Sequence, residues 1–367
     1  MTDVISLGIG EPDYITPWRI REAAIFALEK GRTGYTSNLG LPRLRQAISR
    51  YLDRRVGVRY DPKTEILVSV GVSEALDLAL RAILNPGDEV LFHEPSYVSY
   101  NPSVALAFGK PIAIQTRAEA DFRLLAGDIE AKISARTKAL LLSFPTNPTG
   151  GVLDLEDLGP IAEVCVEHDL LVLSDEIYSE LLYDGTKHFS IASLPGMRER
   201  TVLLNGCSKA FAMTGFRIGY ACAPASISEA MMKVHQYAIM CASNMSQEAA
   251  IEALENCDKE VASMRSDYER RRNFVVGRLG EIGLPCHAPK GTFYAFPKIS
   301  DTGLTSREFS LRLLQTKRVA VVPGDAFGPS GEGFVRCCFA TALDQIKEAM
   351  NRIEEFVREL HRNSARK

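Results

Sequence analysis

Residues 139–178 read ALLLSFPTNPTGGVLDLEDLGPIAEVCVEHDLLVLSDEIY. An apolar run, Ala139 to Leu142, stops at Ser143 and a stiff polar turn, Phe144-Pro145-Thr146-Asn147-Pro148-Thr149-Gly150. From Leu158 to Glu167 the apolar residues Ile161, Val164 and Cys165 recur at helical spacing. A second apolar run, Leu170 to Leu173, ends at Ser174-Asp175-Glu176-Ile177-Tyr178. Neither run alternates polar with apolar residues, which is how strands covered on both faces read. Strand, helix and strand in succession predict an α/β fold with a mostly parallel sheet.

The same texture extends outward. Ile66 to Val70, Glu89 to Phe92 and Thr201 to Leu204 are further buried-strand runs, and Glu74 to Leu84 carries apolar residues at helical spacing. Beyond about residue 224 long helical stretches take over, including the charged run Arg265 to Leu279. Gly291 to Phe296 and Val319 to Val322 read as strands of a second, mixed segment. An amphipathic helix, roughly Leu343 to Leu360, precedes a short basic tail. A chain of 367 residues fits one large domain and one smaller one. Without repeats or flexible linkers, the two should share a tight interface.

With 46% hydrophobic and 24% charged residues the composition is that of an ordinary globular protein. A net charge of -3 offers no basic face for nucleic acid and no polybasic membrane patch, so small molecules are the expected partners. Met1-Thr2-Asp3-Val4-Ile5 has no secretory pattern, and the richest apolar stretch, Val98 to Ile114, is broken by Pro and Gly. A cytoplasmic location is expected. The eight cysteines show no C-x-x-C spacing and read as reduced thiols, and the six histidines form no ligand-spaced cluster, so no metal is expected.

Ligands of open α/β sheets bind beyond the carboxyl ends of the strands. Four such ends carry suggestive residues. Gly71-Val72-Ser73 opens a helix whose amino end could hold a phosphate, although Ser73 as a plain N-cap explains it equally well. Asn147 sits between two prolines in a rigid turn. Asp175 at a buried strand end needs a cationic partner, unless it only caps the next helix. After Leu204 comes Asn205-Gly206-Cys207-Ser208-Lys209-Ala210-Phe211-Ala212-Met213-Thr214-Gly215-Phe216-Arg217, which puts Lys209 among small and apolar residues. Desolvation lowers the pKa of such an amine and suits it to Schiff-base chemistry. A lone lysine would be solvated surface; an acid, an amide, a phosphate cradle and a Lys/Arg pair at the ends of one sheet are a site.

The run Ser208 to Tyr220 resembles the cofactor-attachment signature of the class I/II aminotransferases, enzymes of fold type I that use pyridoxal 5′-phosphate (PLP). Asn147-Pro148-Thr149-Gly150 and Ser174-Asp175-Glu176-Ile177-Tyr178 match two further motifs in order, and the likeness extends from Gly8-Ile9-Gly10-Glu11-Pro12-Asp13 to Val335-Arg336-Cys337-Cys338-Phe339. The resemblance implies a large domain, 35–274, with a seven-stranded, mostly parallel sheet, and a smaller α+β domain from both chain ends, 1–34 and 275–367. It implies that Lys209 carries PLP as a Schiff base, that Asp175 pairs with the pyridine nitrogen, and that Asn147 and Tyr178 bond the phenolic oxygen. Tyr97 would stack on the ring. Phosphate would be held by Val72, Ser73, Ser208 and Arg217, and by Tyr35 reaching across from the neighbouring subunit of a homodimer. Arg336 would clamp the substrate carboxylate, with Gly10 and Asn147 nearby.

Two departures stand out: Gly206 replaces a common phosphate-binding serine, and Phe216 a common tryptophan. The expected activity moves an amino group from an L-amino acid, aromatic, aspartate or of broad range, to a 2-oxo acid such as 2-oxoglutarate. The absence of a lysine in Gly71-Val72-Ser73-Glu74 speaks against strict aspartate specificity. A C–S β-lyase would use the same cofactor residues. A PLP-sensing regulator would need a helix-turn-helix segment, which is not expected here. Cys207 and Trp18 read as packing residues.

Overall fold

A computed structural model of the chain describes residues 3–364. Its strands are β1 (Ile5–Ser6), β2 (Ile66–Ser69), β3 (Glu89–Glu94), β4 (Lys110–Gln115), β5 (Thr137–Ser143), β6 (Leu171–Asp175), β7 (Thr201–Gly206), β8 (Gly219–Cys222), β9 (Tyr294–Ala295), β10 (Val319–Ala320), β11 (Val322–Pro323) and β12 (Val335–Cys338). Seven of them form one sheet in the order β2-β8-β7-β6-β5-β3-β4. Only β8 runs against its neighbours; β3 to β7 pair in parallel.

The unbroken apolar runs follow from this geometry. Successive side chains of a strand point to opposite faces. Leu141, Leu173, Val202 and Leu204 pack with Leu76 and Leu80 of the helix Gly71–Ile83, while Leu140, Leu142 and Val172 pack with Ile161 and Cys165 of the helix Leu155–Glu167. Both faces are thus covered, and each buried Leu or Val contributes about 1.5–3 kcal/mol of transfer free energy. The second helix starts at Leu155, ahead of its apolar stripe, because Asp154 and Asp157 close a capping box.

Two strands of the seven-stranded sheet escaped the sequence pattern, as did β1 and β12 outside it. β4 forms an edge with partly exposed residues, and β8 is short. In the carboxyl-terminal part the expected single strand Val319 to Val322 is two: β10 pairs in parallel with β1, whereas β11 pairs antiparallel with β12. The expected strand Gly291 to Phe296 shrinks to β9, which joins the other edge of β12. Leu7 shares an apolar core with Val275, Leu313, Val335 and Ile353. The last helix runs Leu343–Ser364, taking in residues first read as tail; residues 365–367 of that tail, like Met1 and Thr2, lie outside the described part. Among the described residues no helix is long and apolar enough to cross a membrane.

Leu141 is fully buried in β5, so Leu141→Ala should lower the free energy of unfolding by about 2–5 kcal/mol. Urea denaturation of the variant against the parent measures this, and a loss under 1 kcal/mol would mean that the sheet core collapses around the cavity.

Candidate active site

The strand register lines up the open edge of the sheet. Ser143 lies beside Asp175, Gly206 beside Gly219, and Ser69 on the other side of Gly219. The segments leaving these strands enclose a cavity of about 640 Å³. Gly10, Val72, Ser73, Tyr97, Asn147, Asp175, Tyr178, Ser208, Lys209, Arg217 and Arg336 all line it. Tyr35 does not: it is 83% exposed in a loop away from the chain's own cavity.

The start of one helix and an arginine meet on the cavity wall. β2 passes through Gly71, at φ +77°, into the helix Gly71–Ile83, whose first turn holds Val72 and Ser73. Ser73 is therefore inside the helix and is not its N-cap, which is Val70. Glu74, also inside the helix, reaches back to the N-cap backbone, its Oε2 accepting from the Val70 N–H at 2.5 Å while Oε1 pairs with His235 at 2.7 Å. Arg217, itself left-handed at φ +51°, reaches the same turn, and a Cβ on Gly71 would come within 2.6 Å of its Nη2. A Cβ on Gly206 would meet the Gly219 Cα and the Ile218 carbonyl, each at 2.9 Å. A serine cannot stand at Gly206 without moving β8, which accounts for the departure seen in the sequence and leaves Ser208, on the cavity wall, as the nearby hydroxyl.

At the middle of the cavity an acid and an amine are both buried. Asp175 closes β6; its Oδ2 accepts from the Tyr100 hydroxyl at 2.8 Å and its Oδ1 from the Ile177 N–H at 3.2 Å. No helix follows it, so it caps a turn and not a helix. Burial pushes its carboxyl up to about 6 against the opposing pull of the Tyr100 bond. Burial also pushes the Lys209 ammonium down to about 8. Lys209 Nζ donates to the Gly10 carbonyl at 2.7 Å, so the amino-terminal segment passes over the amine. Cys207 packs in the neighbouring core and its thiol is pushed up to about 12 by burial, which leaves it inert.

Also on the cavity wall, Arg336 of β12 donates through Nη1 to Asn147 Oδ1 at 2.9 Å and through Nη2 to the Gly8 carbonyl at 2.7 Å. Its Nε is buried without a partner. The Tyr178 and Tyr294 hydroxyls lie 2.9 Å apart. Tyr97 is partly exposed and packs edge-on against Tyr100 at 5.5 Å. Sequence reasoning missed Tyr100 and Tyr294, both on the cavity wall. The only signals were the spacing of Tyr100 three positions after Tyr97, and the place of Tyr294 in a segment read merely as a strand. Trp18, expected to pack, is 56% exposed, with the Arg21 guanidinium 5.0 Å from its ring.

These parts fit PLP: a helix end and an arginine for a phosphate, a buried carboxylate for a pyridine nitrogen, hydroxyls for a phenolic oxygen, and an amine of lowered pKa. The fold and cavity define an amino-group-transferring enzyme of fold type I. The family described as aminotransferase class I and II matches residues 2–353, and the chain belongs to it. It is 51% identical to an aspartate aminotransferase of Pyrococcus abyssi, over 98% of this chain and 93% of the relative. It is 48% identical to aromatic-amino-acid aminotransferase 2 of Thermococcus litoralis, over 97% and 92% of the two chains. The solved aromatic aminotransferase of Pyrococcus horikoshii OT3 superimposes with a TM-score of 0.96 at 50% identity, covering 98% of this chain and 97% of that one.

The Asp175 charge should cost the cofactor-free protein stability. Its folded pKa of about 6 exceeds the ordinary 3.8, so its contribution is full below pH ~4 and is lost as pH rises through 6. Asp175→Asn should therefore be more stable than the parent at pH 8, by about 2–3 kcal/mol, with no gain near pH 4. Urea unfolding without cofactor measures the difference, and a less stable variant at pH 8 would show that the carboxylate is fully compensated.

Proposed function

We propose that the chain is a transaminase in which Lys209 holds PLP and Arg336 holds the α-carboxylate of an L-amino acid. The observation that carries this reading is the one cavity lined by Lys209, Asp175, Arg217 and Arg336. When bound, PLP supplies an aldehyde that condenses with amines and a ring that takes up the electrons left when Cα loses its proton. Asp175 keeps the ring nitrogen protonated, because an anion buried there gains more from a neighbouring cation than from water. The Val72 and Ser73 turn, Ser208 and Arg217 anchor the phosphate. Tyr97 covers the ring, and Tyr178 donates to the phenolic oxygen. With its Oδ1 committed to Arg336, Asn147 has its amide nitrogen left as a donor.

Arg336 presents a planar fork that matches a carboxylate and orients the substrate Cα toward Lys209. Lys209 Nζ moves the proton off Cα; a pKa near 8 keeps part of it neutral at working pH. Lys209, Arg217 and Arg336 are the lysine and arginine residues on the cavity wall, and the remainder of the lining includes Ile9, Val98, Val322 and Phe327. That supports an aromatic or aliphatic side chain, or a broad range, on the amino acid; the acceptor in this reading is a 2-oxo acid such as 2-oxoglutarate. The relatives' names support transamination over β-elimination. The pairing of β1 with β10 supports placing the first strand with 275–367 in a smaller domain, whereas Ile20, assigned to that domain as part of 1–34, packs in a core with Leu44, Val68 and Tyr220 of the large domain, 35–274. The exposure of Tyr35 supports a homodimer in which it reaches the neighbouring phosphate.

Protein loaded with PLP should change its visible absorbance when a substrate amino acid is added and recover it with a 2-oxo acid. A screen of the twenty amino acids reads out the substrate, and pyruvate with ammonia released from cysteine would point instead to a lyase. Lys209→Ala should retain bound PLP and lose turnover. Arg336→Lys, which gives up a charge-assisted bond of about 1.5–3 kcal/mol, should lower kcat/KM by about 10- to 100-fold; an unchanged value would place the carboxylate elsewhere.

A further inference from the structure

We propose that Tyr294 is a positioning residue with two functions: its ring seats Arg336 and its hydroxyl drives Tyr178 to donate into the cavity. Both functions rest on the reading of the site given above. Tyr294 on β9 stands opposite Cys338 of β12. Arg336 precedes Cys338 by two positions, so its side chain leaves the same face and meets Tyr294 as a diagonal cross-strand neighbour. The ring centre lies 4.3 Å from the Arg336 guanidinium carbon, and the Phe327 ring lies 4.9 Å from it. Arg336 bonds through its two terminal nitrogens only, its buried Nε having no acceptor. Two hydrogen bonds leave the tilt of the guanidinium plane free about the line joining them. The Tyr294 and Phe327 faces remove that freedom and offer the cation their π-electrons in a desolvated place.

The hydroxyl of Tyr294 meets that of Tyr178 at 2.9 Å. Both phenols are buried, and burial pushes both pKa values up, so each keeps one proton to donate. When Tyr178 donates to an oxygen in the cavity, its own oxygen must accept, and Tyr294 is the donor at hand. The order is Tyr294 to Tyr178 to ligand oxygen, and a donor polarised from behind forms a stronger bond. Gly10 leaves room for this: a Cβ there would run into the Tyr294 hydroxyl. A single side chain thus links the substrate's carboxylate site to the cofactor's phenolic oxygen.

The test uses the PLP-loaded enzyme and two readouts, the pH midpoint of the bound cofactor's visible absorbance and the Kd of 3-phenylpropanoate by calorimetry. Tyr294→Phe keeps the ring and removes the hydroxyl. It should raise the midpoint by about 0.1–0.6 pH unit, the size of a 10–30% weakening of the charge-assisted bond from Tyr178, and leave the Kd within about twofold. Tyr294→Leu should raise the midpoint as well and weaken 3-phenylpropanoate by roughly 5- to 30-fold. An unmoved midpoint in Tyr294→Phe overturns the relay. An unmoved Kd in Tyr294→Leu, when Arg336→Lys does weaken binding, overturns the seating role. A lower Tm with neither readout moved makes Tyr294 structural only. Should Arg336→Lys bind 3-phenylpropanoate as the parent does, the carboxylate reading of Arg336 is what has failed. A Lys209→Ala variant that titrates like the parent would instead sink the cofactor reading.

Discussion

Asp175 is a carboxylate buried at the end of a central strand, and the site is organised around keeping it there. Burial alone would neutralise it, since a charge taken out of water is costly without a partner. Here the Tyr100 hydroxyl and the Ile177 N–H stabilise the charged form, and Lys209 adds its field, yet the carboxyl still sits near 6. The protein gives up folding stability to hold an anion in a dry place. A cation bound opposite it would recover that loss, which is the physical reason to expect a protonated ring nitrogen in the cavity.

Lys209 answers the same constraint from the other side. The cavity that raises the acid lowers the amine to about 8, and its Nζ is held by the Gly10 carbonyl. Arg217 and Arg336 line the same cavity in different settings: Arg217 beside the start of the helix Gly71–Ile83, Arg336 against Asn147 and two aromatic rings. The segment holding Gly8 and Gly10 touches both Arg336 and Lys209, so the amino-terminal strap and the carboxyl-terminal sheet close the site together.

Much of this was legible in residue order. Strands covered on both faces need unbroken apolar stretches, and β5, β6 and β7 contain them, so their carboxyl ends and the residues after them could be located. β4 and β8 escaped, the one because an edge strand carries exposed residues, the other because four residues hold too little pattern. Tyr100 and Tyr294 escaped for a different reason. Nothing near Tyr100 in the chain names Asp175 as its partner, and nothing near Tyr294 names Tyr178 or Arg336.

By itself the sequence determined five of the sheet's strands, β2, β3, β5, β6 and β7, and the residue types waiting at their ends, because those depend on local periodicity and on what must be buried. Only the tertiary structure decided that β9 and β12 are neighbours, that Gly206 has no room for a serine, and that Ser73 lies inside its helix instead of capping it. It alone decided that Asp175 and Lys209 share one desolvated space. A pKa and a fit are properties of surroundings, and surroundings are assembled from residues far apart in the chain.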